Sequence, residues 1–248
     1  MYRLQSLTAH ARAWYGAALA TMAGLACAIS TASAAIITSD MLHETALDAI
    51  FSQASFGTRP IDIRFGPLAH LKVATNLLDL NTDAELATLF NLSPSAQPTT
   101  NLFFVNSIGS CGGAGGNIIG CAATPGNVLA VQATFAKRSD SAALIAHEIG
   151  HNLGLDHLVE RSNLMNPIFT AATNLTLAQV TTMLASSLVQ FDAVTQQRFI
   201  RITPILISAI PLPTSLPLFL SALIALSVRR RRDSESWLTH ATRIQPCS

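Results

Sequence analysis

His147-Glu148-Ile149-Gly150-His151-Asn152-Leu153-Gly154-Leu155-Asp156-His157 is the stretch from which the rest of this chain is read. Ser141 to Leu153 predicts a helix, with Ser139 or Asp140 before it as cap. On that helix His147 and His151 stand four apart, so both imidazoles leave one face and can share a metal. Glu148, one residue after His147, is badly placed to ligate as well. It can reach a water activated by the metal, where a carboxylate serves as general base. Gly154 allows a left-handed turn that ends the helix and brings His157 back as a third ligand. Three protein ligands leave one position open, the arrangement of a catalytic rather than a structural zinc. Five fixed residues, three of them histidine, arise by chance in a chain of this length with odds on the order of 10⁻⁵.

The pattern H-E-x-x-H-x-x-G-x-x-H resembles the signature of the metzincin metalloproteases. The resemblance extends to Ser162-Asn163-Leu164-Met165-Asn166-Pro167, where Met165 stands as the Met-turn methionine, an apolar floor beneath the metal. It covers roughly Arg59 to Gln190. What it implies is an α+β, metzincin-like catalytic domain. A twisted mixed sheet, an active-site helix and a C-terminal helix would place Zn2+ in the cleft between them. It also implies peptide-bond hydrolysis on protein or peptide substrates, with Glu148 as base. By the same analogy the strand at Asn127 to Gln132 is the edge that pairs with an extended substrate. There are departures. Tyr2 and Tyr15 are the only tyrosines, so none follows Met165 as an extra ligand. No cysteine precedes the IDIRF stretch once the first thirty-four residues are set aside, which leaves Asp40 or Asp48 for any latency device.

The remaining elements follow from periodicity. Met41 to Ser52 has apolar residues at helical spacing, with Asp40 as cap. Ile61 to Phe65 alternates as a strand, Thr82 to Leu92 reads as a helix ended by Pro94, and Asn101 to Ile108 reads as a buried strand. A glycine-rich loop follows, then the strand at Asn127 to Gln132, a long helix at Leu175 to Leu188 and a last strand at Phe199 to Ile207.

The chain has 248 residues, 50% of them hydrophobic and 12% charged, with a net charge of +1. About 25% charged residues is usual in a soluble domain, so the apolar excess points to a membrane encounter. Between residues 35 and 212 eight Lys or Arg face twelve Asp or Glu, and no basic patch with interleaved aromatics appears, which argues against nucleic acid.

The ends read as targeting signals. Residues 1–34 have a basic start (Arg3, Arg12), an apolar run from Ala13 to Ile29 and the small-x-small Ala32-Ser33-Ala34, the layout of a cleaved signal peptide; an uncleaved anchor helix is the other reading. The catalytic domain is then expected over 35–203 and a linker with Pro211-Leu212-Pro213 over 204–215. An apolar run and the cluster Arg229 to Arg232 fill 216–232, and a cytoplasmic tail fills 233–248. This layout resembles the PEP-CTERM sorting signal, with Leu212 in place of its usual Glu, and an ordinary tail anchor is the alternative. The sorting reading implies export and C-terminal sorting machinery as partners. Either reading puts the middle of the chain outside the cytoplasm, in the periplasm, at the cell surface or outside the cell, with the C-terminal segment as its contact with a membrane.

Of four cysteines only Cys111 and Cys121 fall in the exported part, and a pair in an oxidising compartment reads as a disulfide; metal ligation fits their spacing less well. His43 and His70 are isolated, and Asp156 is either an orienting neighbour of His157 or a solvated turn residue. A catalytically silent, surface-anchored binding or matrix protein that keeps the fold is the rival reading, and a structural zinc domain is the remaining one.

Overall fold

A computed structural model describes residues 42–210. The expected signal peptide, Asp40, the Pro-x-Pro motif and the C-terminal segment lie outside the described residues. Within them no helix is long and apolar enough to cross a membrane.

The elements in chain order are α1 (Glu44–Phe51), β1 (Ile61–Phe65), β2 (Ala69–Val73), β3 (Asp79–Leu80), α2 (Asp83–Asn91), β4 (Thr99–Val105), β5 (Ser107–Cys111), β6 (Ala114–Ile118), β7 (Gly120–Ala122) and β8 (Val128–Gln132). Then come α3 (Ala133–Ala136), α4 (Ser141–Asn152), α5 (Leu177–Leu184), β9 (Gln190–Asp192) and β10 (Gln197–Ala209). The main sheet runs β1-β10-β4-β8-β7, with β2 and β9 also paired to β10. β10 is parallel to β1, β2 and β4, and β4 to β8, while β7 is antiparallel to β8. A second sheet, β3-β5-β6, stands beside it.

Both faces of the main sheet are covered, so its inner strands carry apolar residues at consecutive positions. Leu102, Phe104, Leu129, Val131, Ile200 and Ile202 face a core shared with α1, α4 and α5. Phe103, Val105, Ala130, Ile205 and Ile207 face the opposite core, closed by α2 and the small sheet. The α2 helix starts on a capping box, Thr82 with Glu85.

Several boundaries differ from the sequence reading, each for a local reason. α1 begins at Glu44 rather than Met41, because His43 takes a left-handed conformation (φ 52°) and its carbonyl accepts the first helical bonds. The expected strand at Asn101 to Ile108 is two strands. The Asn106 N–H is drawn to Leu78 O (2.8 Å) and the Ser107 hydroxyl to Asp79 (2.7 Å), which carries the chain into the second sheet. The glycine-rich loop is a hairpin: Gly112 and Gly113 take φ of 61° and 82°, the turn that a two-residue connection requires. Asn127 to Gln132 is not an edge. β8 lies between β4 and β7, and the free edge belongs to β7, whose three residues carry no periodic signal. The C-terminal helix is shorter than expected because Ser186 turns the chain with its hydroxyl and carbonyl.

β10 contains the strand expected at Phe199 to Ile207, extends it by two residues at each end, and takes in the start of the linker expected over 204–215. Pro204 is tolerated because its missing N–H falls in the gap where β1 has ended at Phe65 and β2 begins at Ala69. Ile200, Ile202 and Ile205 are fully buried along this strand, each contributing about 1.5–3 kcal/mol against a whole-domain stability of ~5–15 kcal/mol. Ile202→Ala is expected to lower the unfolding free energy by about 2–5 kcal/mol in urea titrations. A loss within error of zero would mean that β10 does not sit in the core.

Candidate metal centre

The helix α4 is buried almost all round, since it lies against β7, β8 and α1. Its sequence, SAALIAHEIGHN, supplies the small residues that such close packing needs. Asp140 occupies the N-cap position without capping, because its carboxylate is taken by Arg138 at 2.7 and 2.8 Å. At the other end the Gly154 N–H bonds to His151 O and the Leu155 N–H to Gly150 O, both at 2.9 Å. Gly154 has φ of 91°, so the chain reverses through a Schellman turn and leads to His157.

The turn brings three imidazoles together. The ligand atoms of His147, His151 and His157 lie within 4.8 Å of one another. His147 Nδ1–H donates to Leu164 O and His151 Nδ1–H donates to Leu155 O, each at 2.7 Å. A neutral ring with Nδ1 protonated presents a bare lone pair at Nε2. Nε2 of His157 stands 3.3 Å from that of His147 and 3.1 Å from that of His151. Metal–nitrogen bonds of ~2.0–2.1 Å in a tetrahedron set ligand atoms about 3.3–3.4 Å apart, so this spacing suits zinc. Burial, more than the neighbouring histidines, holds His147 down to about 4, and burial also lowers His151, so both are neutral near neutral pH as ligands must be.

Glu148 is 4% exposed and shares the cleft with the histidines. Burial alone pushes its carboxyl up to about 8. The edge strand passes close above it: a methyl group on Gly120 would meet the Glu148 carboxylate and stand 2.9 Å from its Cγ. Gly120 therefore leaves Glu148 its place, a role the sequence does not reveal.

Met165 is wholly buried against α4, where a methyl on Gly150 would stand 2.6 Å from its Sδ. Gly150, between Glu148 and His151, is thus what lets the methionine close on the helix. The Met165 N–H bonds to Asn163 Oδ1 (2.9 Å), and Asn163 exchanges two amide hydrogen bonds with Gln179 at 2.9 and 3.0 Å. Gln179 also closes the capping box of α5 with Thr176. Thr176-x-x-Gln179 is a legible cap signal, whereas its link to Asn163 is not. At the far side the buried Asn152 amide donates to Ala123 O and Val128 O (both 2.9 Å), fixing the end of α4 to the strand connection.

A cleft of about 780 Å³ lies over these groups, between the β7 edge, the β5–β6 hairpin, α4 and residues 166–169. Cys111 and Cys121 are joined by a disulfide that ties the hairpin to β7. His43 and His70 are not part of the histidine group, and Asp156 is exposed on the cleft with no hydrogen bond to His157 among the described residues.

Gly154→Ala would force an alanine into a left-handed conformation, at a cost of about 1–2 kcal/mol. Its unfolding free energy should fall by that amount, and zinc affinity measured against a competing chelator should fall with it. Unchanged zinc affinity would mean that the turn does not set the position of His157.

No curated protein and no solved structure matches the chain. The Matrixin family of peptidases does match, over residues 41–183, more than half of the sequence and the whole span from α1 to the C-terminal helix. This chain belongs to the matrixin family and is a zinc metalloendopeptidase.

Proposed function

We propose that His147, His151 and His157 hold the zinc and that Glu148 is the general base of peptide-bond hydrolysis. The observation that carries this reading is the convergence of three imidazole nitrogens, two with their Nδ1–H groups tied to carbonyls, beside a buried carboxylate in an open cleft. Zinc, when bound, polarises the scissile carbonyl and makes water acidic enough to be deprotonated near neutral pH. Glu148 takes the proton from the attacking water and delivers it to the leaving amine. The carboxylate is shielded from bulk solvent and lines the same cleft as the three histidines. The free edge of β7 supports an extended substrate lying along the cleft, paired to the strand through main-chain hydrogen bonds.

Glu148→Gln separates catalysis from metal binding. The variant should fold, keep its zinc and lose activity by ~10²–10⁴-fold, as expected for a lost general base. His151→Ala should lose activity through lost zinc. Zinc content by atomic emission and cleavage of a quenched peptide, read on both, decide the matter. A fully active Glu148→Gln would remove the base assignment, and one that loses zinc as His151→Ala does would make Glu148 a ligand.

The substrates on this reading are proteins outside the cytoplasm, reached by export on the N-terminal signal, with the segment after Pro211 serving as sorting signal or anchor. Deletion of residues 211–248 leaves β10 whole and should release active enzyme into the medium. Retention of the shortened chain with membranes, as firmly as the full one, would end the sorting reading.

A further inference from the structure

The strand at the centre of the main sheet is the last one in the described chain. β10 lies between β1 and β4, and β2 pairs with nothing else in the sheet. Take β10 away and the sheet falls into separate pieces, β1 and β2 apart, β4-β8-β7 together, with no ladder between them. The helix that carries His147, Glu148 and His151 leans on both sides of that division: on β7 and β8 directly, and on α1, which packs on β1. Ile200 and Ile202 of β10 fill the core into which Ile145 and Ile149 of that helix, and Leu153 just past its end, are packed. The place the strand enters is specific. It accepts an extended segment parallel to both neighbours, with apolar residues alternating to both faces and Pro204 opposite Leu102 of β4 but in the gap between β1 and β2 on the other flank.

We propose that Gln197–Ala209 is an activating strand, so that metal site and peptidase activity are both withheld until this segment has entered between β1 and β4. Such a device needs no segment lying over the cleft. It ties competence to delivery of the far end of the domain, since everything from α1 to α5 precedes the strand that unites it. Pairing over so long a stretch of chain, from Ile61–Phe65 to Gln197–Ala209, also carries a large loop-closure entropy and so forms slowly. The peptidase half of the inference rests on the metallopeptidase reading, and the metal-site half stands without it.

The test uses the full chain with a site for a sequence-specific protease placed in the exposed Ala193–Gln196 turn, where Val194 is 93% exposed. Cut in the native state, the protein should keep its zinc and its activity. After unfolding and separation, the larger fragment alone should refold without stoichiometric zinc and without measurable cleavage of a quenched peptide. Synthetic 197–210 should restore both in a saturable way, and the same peptide carrying Ile202→Asp and Ile205→Asp should restore neither. A chain ending at Gln196, produced beside a separate 197–210 chain, gives the same comparison without an insertion. Zinc binding by the larger fragment alone overturns the proposal, and so does failure of the two fragments to regain zinc when refolded together. If the intact chain holds zinc and cleaves nothing, the metallopeptidase reading fails while the zinc measurement still decides the strand.

Discussion

Two hydrogen bonds of 2.7 Å, from His147 Nδ1 to Leu164 O and from His151 Nδ1 to Leu155 O, turn a helix with histidines into a directed set of ligands. An imidazole with both nitrogens free rotates and exchanges its proton between them; one with Nδ1–H committed to a carbonyl presents a single lone pair in a single direction. The two carbonyls lie outside the helix, so the metal set depends on how the chain after residue 152 is folded back. Leu155 is positioned by the Schellman turn at Gly154, and Leu164 by the Met-turn, whose backbone is held through Asn163 and Gln179. Ligand geometry is therefore a property of two turns and the C-terminal helix, as much as of the helix that bears the histidines.

The same economy appears in the glycines. Gly154 is needed for its dihedral angle, while Gly150 and Gly120 are needed for the absence of a side chain, one under Met165 and the other over Glu148. The catalytic helix is thereby gripped from two sides at van der Waals distance, by the methionine and by the edge strand. Little room remains for water around Glu148, and this is the origin of its raised pKa.

The sequence exposes those features of this arrangement that are local. The histidines, Glu148 and Gly154 sit in eleven consecutive residues whose spacing maps directly onto helix and turn geometry. The pairing of Cys111 with Cys121 follows from their isolation between the two terminal segments that read as targeting signals, and the structure joins them. What escapes is non-local. Asn127 to Gln132 is legible as a strand but its neighbours are not, so an edge position for it rests on the family resemblance alone, and the three residues of β7, which hold that edge, give no signal. Gly120 meets Glu148 across twenty-eight positions, and no pattern in either stretch points to the other. The strand read at Phe199 to Ile207 already contains Pro204, but only the gap between β1 and β2 explains how a proline is accommodated at the middle of the sheet.

The position of β10 also decides how the domain bears load. A pull on the chain beyond Ala209 does not reach an edge strand, where ladder bonds would open in succession as a zip does. It enters at the middle of the sheet, on a strand bonded on both sides, to β1 and β2 on one flank and to β4 and β9 on the other. Along the parallel stretches the force acts in shear, so the hydrogen bonds of Ile61–Phe65, Ala69–Val73 and Thr99–Phe104 resist together. Held by its C-terminal side, this domain would give way last at the strand that it is held by.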